Sequence, residues 1–206
     1  MQTQRVRSPW VTWLVGLGVM LTLAACSVPS LHGVHSSDVS VDDPGLAGLW
    51  SDDGGDLIAK IDRTGYGTMT VDLAISDDQH RSHNLALDAW LVQLGDARFA
   101  DLVPGKAQRE ALVHEHQALA IRMHQLVKVE RKGDVLKIWE VDEKELRRRI
   151  DAGEITLDHA ELDASEGGPT WVLTAPTPVL QRVLTEHGKD GGLFESPNVL
   201  HRMVRP

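Results

Sequence analysis

Sulfur chemistry is nearly absent from this chain: 206 residues contain one cysteine, Cys26. A disulfide framework, a thiol redox pair and a cysteine-rich zinc site are therefore excluded within a single chain. Aromatic residues are scarce at 4%, and the few present are mostly Trp, six against two Phe and one Tyr. Positive charge is short as well, with 21 Lys and Arg against 30 Asp and Glu. Setting aside Arg5 and Arg7 at the start leaves 19 against 30, a formal charge of −11. Nucleic-acid binders carry basic patches, so this balance argues against that class and favours simple solubility. Catalytic signatures are missing too. There is no Gly-x-Ser-x-Gly elbow, no His-Glu-x-x-His pair and no phosphate-binding glycine loop. Gly65-Tyr66-Gly67 is too short for such a loop. No catalytic residue and no cofactor is assigned, and an enzyme is not expected.

What is present begins with a leader. Arg5 and Arg7 form a positive start, Trp10 to Leu23 an uncharged apolar stretch, and Leu23-Ala24-Ala25 a run ending in small residues before Cys26. The apolar stretch would span about 21 Å as a helix, short of the ~30 Å hydrocarbon core of a bilayer. A cleaved secretory signal over 1–25 is thus expected rather than a permanent membrane helix. Leu23-Ala24-Ala25-Cys26 resembles the lipobox of bacterial lipoproteins. The resemblance implies a diacylglycerol on the Cys26 thiol, cleavage before Cys26 and attachment to a membrane of the cell envelope. Two or three acyl chains anchor durably where one anchors marginally. In a diderm cell, Ser27 resembles the outer-membrane default, with the domain facing the periplasm. Residues 26–45, rich in Ser, Gly, Pro and Asp, read as a flexible tether, and the folded domain is expected over 46–206.

From Leu46 the apolar pattern has mostly period two. Leu57 to Ile61 and Tyr66 to Ile75 flank an expected turn at Asp62-Arg63-Thr64-Gly65. Leu85 to Leu94 and Arg98 to Leu102 flank Gly95-Asp96, and Leu119 to Arg131 and Val135 to Val141 flank Lys132-Gly133-Asp134. Thr170 to Thr174 is a late strand. Two helices follow from their start signals: one capped by Asp142 with Glu145 at its third position, the other with Thr177 as N-cap and Pro178 first, stopping at Gly188. The expected fold is mainly β with two helices, an antiparallel meander forming a curved sheet or a barrel.

Gly48-Leu49-Trp50 looks like the Gly-x-Trp element that opens lipocalins and related calycin barrels. The order of Ala89 to Asp96, Arg98 to Leu102, Met123 to Val129 and Trp171 to Ala175 before a helix is similar to bacterial envelope proteins with a lipocalin-like sheet. The resemblance covers most of residues 46–206 and implies fold and class, with no catalytic residue to carry over. Trp50, Trp90, Trp139 and Trp171 read first as packed core and second as ligand lining.

The chain is also rich in histidine, a common metal ligand. His114 and His116 would share a strand face, His80 and His83 a loop, and with Glu115 or Asp78 they could make a zinc or copper site. No ligand spacing supports this, so the histidines read as polar loop and edge residues, and His124 as a satisfied structural histidine. Arg147-Arg148-Arg149 reads as a solvated helix face or a patch for an acidic partner. Three functions stay open. The preferred one is a lipid-anchored envelope protein binding a small apolar ligand or a partner protein. The others are an accessory scaffold of an envelope complex and a histidine-based metal binder.

Overall fold

The computed structural model describes residues 28–76, 81–106, 123–162, 170–189 and 191–203. Eight antiparallel strands close on themselves: β2 (Gly48–Ser51), β3 (Leu57–Gly65), β4 (Thr68–Ser76), β5 (Ser82–Leu94), β6 (Ala97–Pro104), β7 (His124–Lys132), β8 (Val135–Glu140) and β11 (Asn198–Arg202). β6 pairs with β7 from Arg98 opposite Val129 to Leu102 opposite Gln125, and β11 joins β8 to β2. The sheet therefore has no gap. The architecture is a lipocalin-like barrel with two helices, and closure decides between the curved sheet and the barrel expected from sequence.

Alternation explains which way each side chain points. In β3, Leu57, Ala59 and Ile61 face inward while Lys60 and Asp62 face water. β4 repeats this with Met69, Val71 and Leu73 inside and Asp72 outside. On these two strands an apolar interior meets a polar, charged exterior, the inverse of the polarity of a membrane-spanning barrel. The β3–β4 turn falls at Tyr66-Gly67 rather than at Asp62 to Gly65. Gly67 takes φ of +63°, which the tight turn requires, and the strand absorbs an irregularity between Arg63 and Gly65 to reach it.

The barrel wall has two cores, one on each side. The inner core contains Leu46, Trp50, Ile61, Met69, Leu91, Leu136 and Leu200. The outer core lies over β5, β6 and β7, where Val92, Leu94, Phe99 and Leu126 turn outward. It is covered by helix α1 (Glu143–Asp151), helix α2 (Thr177–His187) and a small flap of β1 (Pro29–Ser30), β9 (His159–Leu162) and β10 (Thr170–Leu173). This is why β5 and β6 are apolar on both faces where a one-sided strand would alternate. α1 begins as expected, with the Asp142 carboxylate accepting from the Glu145 N–H at 3.1 Å. α2 starts one residue earlier than expected. Pro176 is its N-cap, so Thr177 lies inside the helix and its hydroxyl donates to the Gly33 carbonyl at 2.7 Å.

The expectation of a flexible tether over 26–45 fails for residues 28–45. Val28 and Val34 are buried in the outer core, and Ser30 bridges β7 and β10. The Val41 N–H donates to the Leu91 carbonyl at 3.0 Å, and the Gln93 N–H to the Val39 carbonyl at 2.9 Å. The acids that suggested solvation are paired: Asp42 with Arg63, and Asp43 with Arg131 and Arg98. Burial alone would raise Asp43, but its hydrogen bonds and charge contacts with Arg131 hold the carboxyl below its ordinary value. Residues 28–45 thus belong to the folded domain rather than to a tether before it.

Candidate functional site

Inward-facing side chains do not fill the barrel. A cavity of about 320 Å³ remains, at the small end of the range for small-molecule pockets. Its walls are Leu57, Ile61, Met69, Val71, Leu73 and Ile75 from β3 and β4, Leu85, Leu87 and Ala89 from β5, and Leu102, Val127 and Ile138 from β6 to β8. Ala59, Ala89 and Ala100 supply the room, since a larger residue at any of them would project into the space.

One end of the barrel is sealed. A 3-10 turn at Pro44–Leu46 brings Leu46 beneath the inner core, and the Trp50 indole N–H donates to the Leu46 carbonyl at 2.8 Å. The Arg202 guanidinium lies 4.2 Å from the centre of the Trp50 ring. It also donates to the Ala47 carbonyl at 2.9 Å, to the Gly45 carbonyl, and to Asp134 at 3.0 Å. Gly48 is needed here: its φ is +145°, and a Cβ would sit 2.3 Å from an Arg202 nitrogen. The Gly-x-Trp pattern seen in the sequence therefore has a mechanical meaning, a glycine that admits an arginine onto a tryptophan.

The opposite end is polar. Among the described residues, Gln125 at the start of β7, Glu140 at the end of β8 and Asn198 at the start of β11 are the polar lining residues, and no basic residue joins them. The registers place them diagonally on neighbouring strands, since Glu140 faces Val127 and Asn198 faces Ile138. Burial, with the nearby Glu195 adding like-charge repulsion, pushes the Glu140 carboxyl above its ordinary value.

A second polar cluster lies outside the barrel. Asp101 is fully buried on the outer face of β6. One carboxylate oxygen accepts from the Val34 N–H (2.8 Å) and the His35 N–H (3.2 Å) and contacts the His35 Nδ1 at 2.7 Å. The other contacts the His124 Nδ1 at 2.6 Å. Burial alone would raise the Asp101 carboxyl, but hydrogen bonds from His124 and His35 overcome this and hold it below its ordinary value. His35 also stacks on Trp90, with ring centres 4.4 Å apart. The potential ligand atoms of His35, Asp101 and His124 lie within 4.8 Å of one another, the one such group among the described residues. Ligands held at ~2.0–2.1 Å on a tetrahedral ion stand more than 3 Å apart, however, whereas these pairs sit at hydrogen-bond separation. The cluster is a latch that pins the N-terminal segment to the barrel.

Of the residues singled out from sequence, Cys26, Asp78, His80, His114, Glu115 and His116 lie outside the described residues. His83 is half-buried on β5, and His124 belongs to the latch. None of the four Trp lines the cavity. Trp50 seals the closed end, Trp90 carries His35, Trp139 faces Lys128, and Trp171 lies in the outer core beneath Arg147. The arginine run is spent within the molecule: Arg147 pairs with Glu143 and Glu161, Arg148 with Glu145 and Glu154, and Arg149 with Glu145. Sequence reasoning missed Asp101, His35, Glu140 and Arg202. Asp101 and Glu140 carried a legible signal, because each is an acid at a position phased with apolar neighbours. No helix among the described residues is long and apolar enough to cross a membrane. Compared with protein-family models, with curated proteins and with solved structures, the chain shows no match.

Proposed function

We propose that this chain is a bacterial envelope lipoprotein, anchored through acyl chains on Cys26, whose barrel holds a small apolar ligand. The observation that carries the ligand half is the unfilled, apolar barrel interior of about 320 Å³, sealed at one end and polar at the other. At ~30 Å³ for each water-sized group, that space admits about ten heavy atoms, the scale of a short single alkyl chain. The sequence features of the leader support the anchor half.

Two measurements test the two halves. An environment-sensitive apolar dye should gain fluorescence on binding, and an Ile, Leu or Ala substitution that fills the barrel should abolish the gain. A folded protein that never takes up dye or alkyl chain rules the ligand half out. Intact mass of the protein extracted from its own host membranes should show a chain beginning at Cys26 with added acyl mass, and an unmodified thiol there rules out the anchor. Because Val28, two residues from Cys26, is already packed in the domain, the anchor would leave at most about 7 Å of chain between lipid and domain. The domain would then rest on the membrane surface instead of swinging on a tether.

A further inference from the structure

The polar end of the barrel has a feature that apolar binding alone does not use. Glu140 projects from the last residue of β8 into the cavity wall, and among the described residues no hydrogen bond or ion pair engages its carboxylate. A half-buried carboxylate without a partner is costly, and such groups are normally paired. Its polar neighbours in the lining, Gln125 and Asn198, are uncharged. Among the described residues, the charged group that acts on it is Glu195, another acid, in the turn between α2 and β11. Among the described residues, the cavity thus combines an apolar barrel with an acidic end that lacks a counter-charge.

We propose that the barrel selects single-chain amphiphiles ending in a cationic nitrogen, with the alkyl chain lying among the β3–β5 side chains and the ammonium against Glu140. This rests on the apolar-ligand reading above and names its ligand class. The chemistry follows from the unpaired acid. An alkylammonium keeps its proton at pH 7, as the lysine ammonium does. It supplies up to three N–H donors, enough for Glu140 together with the side-chain oxygens of Gln125 and Asn198. A carboxylate-ended chain of equal length would bring a third negative charge to Glu140 and Glu195, with no basic residue among the described lining residues to offset it. An alcohol lies between, able to donate one hydrogen bond but carrying no charge.

Displacement of an uncharged apolar dye from the purified full-length chain, by decylamine, decanol and decanoate at pH 7, tests this. The amine should bind about tenfold or more tighter than the alcohol, the weight of one charge-assisted hydrogen bond, and decanoate should be weakest. Glu140→Gln should level amine with alcohol and strengthen decanoate, and Glu195→Gln should shift the ranking the same way by less. Decanoate binding as well as decylamine in the wild type overturns the head-group assignment while leaving the apolar-ligand reading in place. An unchanged ranking in a folded Glu140→Gln variant overturns it equally. Failure of all three chains to displace dye, or of the dye to bind, defeats the apolar-ligand reading and this assignment with it. If Glu140→Gln does not fold, the wild-type ranking and Glu195→Gln decide.

Discussion

Replacing Asp101 with Asn tests the latch. Asp101 has no exposed surface, and its carboxylate meets four N–H donors, two from the Val34 and His35 backbone and two from imidazole rings. Asn keeps the shape but offers one acceptor oxygen, and it turns an NH2 toward donors that already point inward. With the Asn oxygen kept on the Val34 and His35 side, the NH2 still faces the His124 Nδ1, so at least one bond to a charged acceptor is lost at about 1.5–3 kcal/mol and the other three become bonds to a neutral one; a destabilisation of about 2–4 kcal/mol is expected. For a domain of this size that lowers Tm by roughly 10 °C. The pH dependence has a definite sign. Asp101 is held below its ordinary value in the fold, so its contribution is present above the unfolded carboxyl pKa, about 3.9, and is lost as pH falls through the folded value. Urea midpoints of wild type and variant should therefore differ at pH 7 and converge in acid below about pH 4. Limited proteolysis should cut the variant first between residues 28 and 40, where the latch holds the chain. A variant within about 0.5 kcal/mol of wild type at pH 7, or a difference that widens in acid, refutes the reasoning.

Other substitutions probe the sealed end and the cavity. Arg202→Ala removes the cover of Trp50 and bonds to Asp134, Ala47 and Gly45. It should cost about 2 kcal/mol by urea titration and red-shift part of the tryptophan emission as water reaches the indole. Gly48→Ala sets a Cβ against the Arg202 guanidinium at a φ that alanine avoids, so a loss of about 1–3 kcal/mol is expected. Gly48→Ala in the Arg202→Ala background should cost less than alone, because the steric part is gone. Ala89→Phe fills the cavity from β5; dye binding should vanish while far-UV circular dichroism stays barrel-like.

Legibility in the sequence followed the number of exposed faces. β3 and β4 have water on one side, and their period-two pattern made both strands readable, though not the position of the turn between them. The Asp142 cap was equally local and equally readable. Residues 28–45 were misread because their polar residues look solvated, yet Asp42, Asp43 and Ser30 find partners only when β3, β7 and β10 are in place. Four valines at 28, 34, 39 and 41 were the counter-signal, and composition hid them. β1, β9 and β11 are two, four and five residues long. Strands that short lack a measurable period, so only pairing reveals them. The candidate site is a void between residues distant in sequence, and a void has no sequence pattern. What the sequence does carry is its trace, the alanines at 59, 89 and 100 where a tightly filled barrel would carry larger side chains.

The two cores also differ in what they can do. The outer core is filled by side chains from the helices, the flap and the N-terminal segment, and it fixes β5, β6 and β7 from outside. The inner core is left incomplete. An empty apolar cavity costs about 24 cal/mol per Å³, so 320 Å³ forgoes up to about 8 kcal/mol, comparable with the whole stability of a domain. A barrel held only from within would not stand that loss, whereas one braced from outside can. The outer layer is therefore what allows the interior to stay unfilled. The same arithmetic predicts that a chain which enters the barrel returns part of the missing contacts. At a hundred times its Kd, decylamine should raise stability by about 2.7 kcal/mol and Tm by several degrees, and Ala89→Phe should abolish that rise while gaining stability of its own. Equal thermal shifts in wild type and Ala89→Phe would place the chain outside the barrel and refute the argument.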